Sequence, residues 1–141
     1  MKYKLELASN DNQTLACFDV LVQLYPKLNK EILIDTIDHQ SKNSYKLLLA
    51  YDGDDVVAVT RFRIGYNFSV GKYIYIENMA TDEEYRSLGI GASMIDWIEN
   101  FAKDNSCKQI RLISATHRHK AHKFYLNQNF KIACYNFWKD V

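Results

Sequence analysis

Residues Glu77–Ala92, ENMATDEEYRSLGIGA, decide how the chain is read. Before them, Lys72–Met79 is the pattern of a strand buried on both faces. After them, Ile95, Ile98 and Ala102 recur at helical spacing over Gly89–Lys103, with Gly91 starting the same row. The stretch therefore joins a buried strand to a helix through a polar turn that ends in Gly89 and Gly91. Glycines at such a turn let backbone N–H groups approach an anion closely. The helix start adds its own unpaired N–H groups and a positive partial charge. Arg86 stands at the mouth with a permanent cation. The chemistry indicated is pyrophosphate binding; the plain alternative is a turn that only reverses the chain. A phosphate loop of the lysine type does not fit, because no Lys-Ser or Lys-Thr follows the glycines. A dinucleotide fingerprint does not fit either, since Gly89-Ile90-Gly91 lacks the third glycine.

Working outward, Lys2–Ala8 alternates as a strand with one wet face. Ser9, Asn10 and Asp11 offer caps to a helix carrying Leu15, Phe18, Val22 and Tyr25, and Pro26 separates it from a second helix over Lys30–His39. Lys46–Tyr51 and Val56–Ile64 are strands joined by Asp52-Gly53-Asp54-Asp55, a hairpin signal, and Gly65–Gly71 reads as another turn. Gln109–Ser114 is a strand and Arg118–Asn127 a helix; Phe130–Cys134 and Asn136–Lys139 read as closing edge strands. The string predicts one α/β (α+β) domain over residues 1–141 with helices on both faces of a sheet.

Composition narrows the function classes. With 18 Lys and Arg against 17 Asp and Glu, the chain has no overall electrostatic footprint for nucleic acid or an anionic membrane. Apolar residues at 48% suffice for a core, and one proline and five glycines exclude linker-rich or repetitive architectures. No apolar run approaches the roughly 20 residues that span a bilayer, and MKYKLELASN lacks a signal-peptide core. Cys17, Cys107 and Cys134 are odd in number and scattered, which predicts neither a disulfide framework nor a cysteine zinc site. A reduced, cytoplasmic protein is expected.

Arg86-Ser87-Leu88-Gly89-Ile90-Gly91 resembles the R/Q-x-x-G-x-G/A signature of the GCN5-related N-acetyltransferases (GNAT). Upstream, Ile76-Glu77-Asn78-Met79-Ala80 is similar to that family's fourth strand. Downstream, His117–Tyr125, HRHKAHKFY, resembles its HRxxAHxFY segment, found in many of its small-amine acetyltransferases. Glu83 stands where the family usually has proline, and Asn129 where it usually has glycine; asparagine is the non-glycine residue best suited to a left-handed conformation. The resemblance implies a mixed, mostly antiparallel sheet of six to seven strands with about four helices. It implies acetyl-CoA as co-substrate, its pyrophosphate at Arg86, Ser87, Leu88, Gly89, Ile90, Gly91 and Ala92. Met79, Ala80 and Thr81 would present backbone groups to the acetyl and pantetheine portions, and Arg118 and Tyr125 complete the expected cofactor contacts.

The expected reaction is direct acetyl transfer to a primary amine of a small molecule. Glu77 is the candidate base, or else a residue that orders the sheet end or attracts the substrate cation. Tyr125 is the candidate acid for the departing thiolate, or else a core aromatic sharing a helix face with Ala121 and Phe124. His117, His119 and His122 suggest a metal, but no cysteine lies nearby to complete a tetrahedral set; this basic stretch is expected instead near phosphates, and no metal is expected. A protein lysine or N-terminus is the rival acceptor, and a non-catalytic acyl-CoA-binding module the rival class. A deep acidic pocket would favour a small amine. The resemblance also implies homodimers, for which Tyr135–Trp138 is a candidate contact.

Overall fold

The two residues Gly53 and Asp54 set the frame. Gly53 takes φ +61, a left-handed value that costs glycine little, and Asp52 and Asp55 pair directly across the turn. This hairpin joins β2 (Tyr45–Asp52) to β3 (Asp55–Asn67), with β1 (Lys4–Leu7) antiparallel on the outer edge of β2. β4 (Gly71–Thr81) pairs antiparallel with β3. The computed structural model describes residues 2–141, and of Ser41 only the backbone. The described chain forms two compact units, the first running to Arg111 and the second from Leu112 to Val141.

Gly65 lies inside β3 opposite Tyr73, so the expected turn over Gly65–Gly71 shortens to residues 68–70. Asn67 Oδ1 holds that turn by accepting from the N–H groups of Ser69 and Val70 at 3.1 and 2.9 Å. The phenol of Tyr73 and the guanidinium of Arg63 lie over Gly65, where a Cβ would meet them at 2.6 Å. Glycine is therefore kept in the strand by a close approach, not by a reversal.

The helix expected after Asn10 divides into α1 (Asp11–Ala16) and α2 (Phe18–Leu24). Cys17 makes the break: its N–H closes a tight turn on the Thr14 carbonyl while its own carbonyl accepts from Leu21. α3 (Lys30–Ser41) is capped by Asn29, whose Oδ1 accepts from the Ile32 N–H at 2.8 Å. These three helices cover one sheet face, where Cys17, Val20, Leu21 and Leu33 pack on Leu47, Leu49, Val59 and Ala80. The other face is covered by α4 (Ile90–Asp104), whose Trp97 and Phe101 rings sit 6.2 and 5.2 Å from that of Phe62.

β5 (Ile110–Leu112) completes a sheet of order β1-β2-β3-β4-β5. It joins β4 through bonds from Lys108 N–H to Lys72 and from Ile74 N–H to Gln109; both chains ascend together, as in a parallel pair. The sheet is thus mixed, but with five strands among the described residues in place of six to seven. The helices number five in place of four, because Cys17 splits the first.

The second unit holds α5 (His119–Asn127). It ends in a Schellman motif: Asn129 takes φ +67, its N–H bonds Leu126 at 3.1 Å, and the Phe130 N–H bonds Tyr125 at 3.0 Å. The expected strands Phe130–Cys134 and Asn136–Lys139 do not form. Alternation makes a strand only where a ladder accepts it, and no strand pairs with this segment.

Candidate active site

Beyond β4, Asp82 caps a 3-10 turn (Glu83–Tyr85) by accepting from the Glu84 N–H at 2.9 Å. Gln23 of α2 braces the same turn, donating to Asp82 at 3.1 Å and accepting from the Glu83 N–H at 2.9 Å. The chain then leaves ordinary backbone space twice, at Ser87 (φ +64) and Gly89 (φ +85). These two left-handed residues swing it round so that α4 begins at Ile90 with no side-chain cap and no acidic residue in its first turn. The first-turn N–H groups and the positive end of a 15-residue helix therefore have no capping side chain at Gly89. Arg86, exposed beside them, is steered by its Nε donating to the Thr81 carbonyl at 3.2 Å.

Met79, Ala80 and Thr81 pair with Thr60, Val59 and Ala58 of β3. On its other edge β4 has only β5, three residues against eleven, and the chain entering β5 bonds first to Lys72 and Ile74 through Lys108 and Gln109. Glu77 is an extra residue in the ladder, since Arg61 faces Asn78 and Phe62 faces Ile76. Such a bulge re-aims a side chain. The exposed Glu77 carboxylate accepts from the Tyr45 hydroxyl at 3.3 Å, and that hydroxyl accepts from Arg63 Nε at 3.2 Å. The Arg63 guanidinium lies 5.8, 6.0 and 5.1 Å from the rings of Tyr45, Tyr73 and Tyr75. Burial, reinforced by the Glu77 charge, pushes the Tyr75 phenol above its ordinary value.

A cavity of about 380 Å³ opens between α2, α3 and the sheet. Leu21, Leu28, Ile32 and Leu33 form apolar walls, and Arg61 and Asn78 contribute polar groups from the strands. Asn78 donates to the Tyr25 hydroxyl. No carboxylate lines the cavity, and its charged residues are Lys27 and Arg61. It is not the acidic pocket set out above as the mark of a small-amine site. Neither Glu77 nor any residue of Gly65–Gly71 lines it. Sequence reasoning passed over Arg61, Asn78, Tyr25 and Tyr45. The available signal was a pair of arginines, Arg61 and Arg63, in the otherwise uncharged Val56–Ile64 run, Arg61 on the strand parity of the buried Val59.

Arg118 and Tyr125 belong to the second unit. Arg118 precedes α5, and the Tyr125 ring packs edge-on against Phe124 and Phe130 at 5.4 and 5.7 Å. His122 Nε2 donates to the Ala115 carbonyl at 2.8 Å, and the His119 and His122 rings meet edge to face. Among the described residues no three His, Cys, Asp or Glu side chains gather. Burial pushes the Cys17 thiol up to about 12, so it is a protonated core residue.

A strand ending beside an uncapped, glycine-led helix, on a mixed sheet covered on both faces, is the arrangement that the resemblance implies. Residues 14–130 match the Acetyltransferase (GNAT) family, and the chain belongs to that family. It is an acyltransferase. It is 25% identical over 126 residues to YhdJ, an uncharacterized N-acetyltransferase of Bacillus subtilis, covering 88% of this chain and 89% of that one. It is 35% identical over 60 residues to the thialysine N-epsilon-acetyltransferase of Bos taurus, 43% of this chain and 35% of that protein. The aminoglycoside antibiotic 6'-N-acetyltransferase of Acinetobacter baumannii shares the fold, with TM-score 0.82 at 19% identity over 99% of both chains.

Proposed function

We propose that the protein moves the acetyl group of acetyl-CoA directly to a primary amine of a small molecule, with both substrates bound together. The observation that carries this reading is the uncapped start of α4 behind Ser87 and Gly89, flanked by Arg86. Its uncapped N–H groups suit a pyrophosphate, with Arg86, Ser87, Leu88, Gly89, Ile90, Gly91 and Ala92 proposed as the cradle and Arg118 as a further cation. The backbone of Met79, Ala80 and Thr81 is proposed to hold the thioester oxygen and the pantetheine arm; the short β5 supports this.

An alkylamine with pKa near 10.4 is neutral only about once in 10³ molecules at pH 7. Glu77, exposed on its bulge, is proposed to take the amine proton directly or through water. The amine nitrogen then bonds to the carbonyl carbon, the carbon–sulfur bond breaks, the Tyr125 phenol gives the thiolate its proton, and the proton shed by the acylated nitrogen restores the phenol through solvent. The match of His117–Tyr125 to the family segment supports that last role.

A cavity of about 380 Å³ suits a small acceptor better than an extended peptide. The names of two similar proteins point the same way, since thialysine and aminoglycosides are small amines. A cytoplasmic setting accords with three cysteines outside any disulfide. The test is thiol release from acetyl-CoA, followed with a thiol-reactive dye across an amine panel. Release is expected only with an accepted amine and in step with its acetylated product. Tight acetyl-CoA binding with no amine-dependent release would instead identify a binding module.

A further inference from the structure

The cavity beside β3 carries the wrong charge for a simple amine. Its polar end holds Arg61, and Lys27 is its other charged residue, with no carboxylate in the lining. An arginine in a core strand ordinarily meets a carboxylate, because an unpaired buried charge is costly. Here no ion pair engages Arg61 among the described residues. Arg61 Nε is enclosed and makes no hydrogen bond. It borders a second, small space of about 20 Å³, the room of one water, shared with the enclosed Gln40 Oε1. Arg61 lines the larger cavity as well, and among the described residues no hydrogen bond or ion pair engages its Nη groups. Burial pulls the guanidinium below its ordinary value, and the Glu77 charge opposes that pull. Glu77 and Arg61 thus sit within electrostatic reach on adjacent strands without an ion pair.

We propose that the acceptor is an amine that also bears a carboxylate on an apolar body, and that Arg61 seats this carboxylate within the cavity while Leu21, Leu28, Ile32 and Leu33 enclose the hydrocarbon. The inference rests on the reading of the protein as an amine acetyltransferase. A planar guanidinium with two unused Nη groups fits a planar carboxylate in a bidentate pair. The same cation also helps the chemistry, since a nearby positive charge favours the neutral form of the amine. A plain alkylammonium gains neither effect and meets repulsion instead.

The experiment compares amino acids with their carboxamides, which keep the amine and the body but remove the charge. The panel includes α-amino acids with leucine-sized to phenylalanine-sized side chains and ω-amino acids of four to six carbons. Steady-state kcat/KM with acetyl-CoA is measured for each pair, together with calorimetric Kd values in the presence of CoA. The favoured acid is expected to exceed its carboxamide by about tenfold to a hundredfold in both, the range of hydrogen bonds to charged groups. Arg61→Gln is expected to bring the acid-to-carboxamide ratio close to one in both kcat/KM and Kd, and Arg61→Lys to restore part of that ratio. Equal treatment of acids and carboxamides by the unaltered protein overturns the inference, and needs no variant to fold. An Arg61→Gln variant that keeps the acid-to-carboxamide ratio of the unaltered protein also overturns it, since the carboxylate is then held elsewhere. Should no amine be acetylated while the acid still binds more tightly than its carboxamide, the transferase reading fails and the carboxylate site stands.

Discussion

Two glycines at the start of α4 allow fold and ligand binding to be separated by substitution. Gly89 has φ +85, and a Cβ there meets nothing within 4 Å. Gly89→Ala therefore adds no clash and incurs only the left-handed backbone cost, roughly 1–2 kcal/mol. Gly91 is the second residue of α4 and helical, so valine there changes intrinsic helix stability by only a few tenths of a kcal/mol, about the difference in propensity. Its branched side chain would instead stand over the N–H groups assigned to the pyrophosphate. Acetyl-CoA at about 100 times its Kd should stabilise the unaltered protein by roughly 2.7 kcal/mol. Urea unfolding with and without acetyl-CoA measures both quantities. Gly89→Ala should lose stability with and without ligand, whereas Gly91→Val should keep its ligand-free stability and lose the ligand-dependent gain. If acetyl-CoA stabilises Gly91→Val as fully as the unaltered protein, the phosphate site lies elsewhere.

Further expectations concern the proton-handling groups and the core. Glu77→Gln should lower turnover most near neutral pH and progressively less as pH approaches the amine's own pKa; an unaltered pH–rate profile would leave Glu77 a structural role. Tyr125→Phe keeps the ring contacts with Phe124 and Phe130, and turnover should fall by about 10²–10⁴ with acetyl-CoA affinity little changed; near-normal turnover would refute the acid role. Burial raises the Cys17 thiol to about 12, so its stabilisation is complete below the unfolded value near 8.5. Above that value the unfolded thiol ionises while the folded one keeps its proton, which costs at most about 1.4 kcal/mol per pH unit until the folded value is reached. Cys17→Ala should therefore flatten the alkaline fall of the urea midpoint, and an unchanged slope would refute this.

Elements with a strong local signal were legible from the residues. The β4–turn–α4 passage announced itself through an apolar run, two glycines and a helical row, and these lie where the spacing placed them. The run is not buried on both faces, however: within Lys72–Met79 only Ile74 and Ile76 are buried and Glu77 is exposed. Asn129, read as the residue able to replace glycine, does take a left-handed φ of +67. What escaped depends on distant partners. Gly65 looked like a turn because the Tyr73 ring and Arg63 guanidinium that cover it enter from other positions in the folded sheet. The break at Cys17 is a hydrogen-bond choice inside a continuous helical pattern. The alternation after Phe130 found no ladder to join. Arg61 escaped because burial, which makes it conspicuous, is conferred by helices contributed from the first third of the chain.

The central claim is direct transfer between two bound substrates, and initial-rate kinetics joined to intact-protein mass tests it most directly. With acetyl-CoA and an accepted amine both varied, double-reciprocal lines should intersect. The protein incubated with acetyl-CoA alone should keep its mass, with the acetyl group appearing only on the amine. Parallel lines, together with a protein heavier by one acetyl group that an added amine then removes, would establish a covalent acetyl-enzyme and contradict the account.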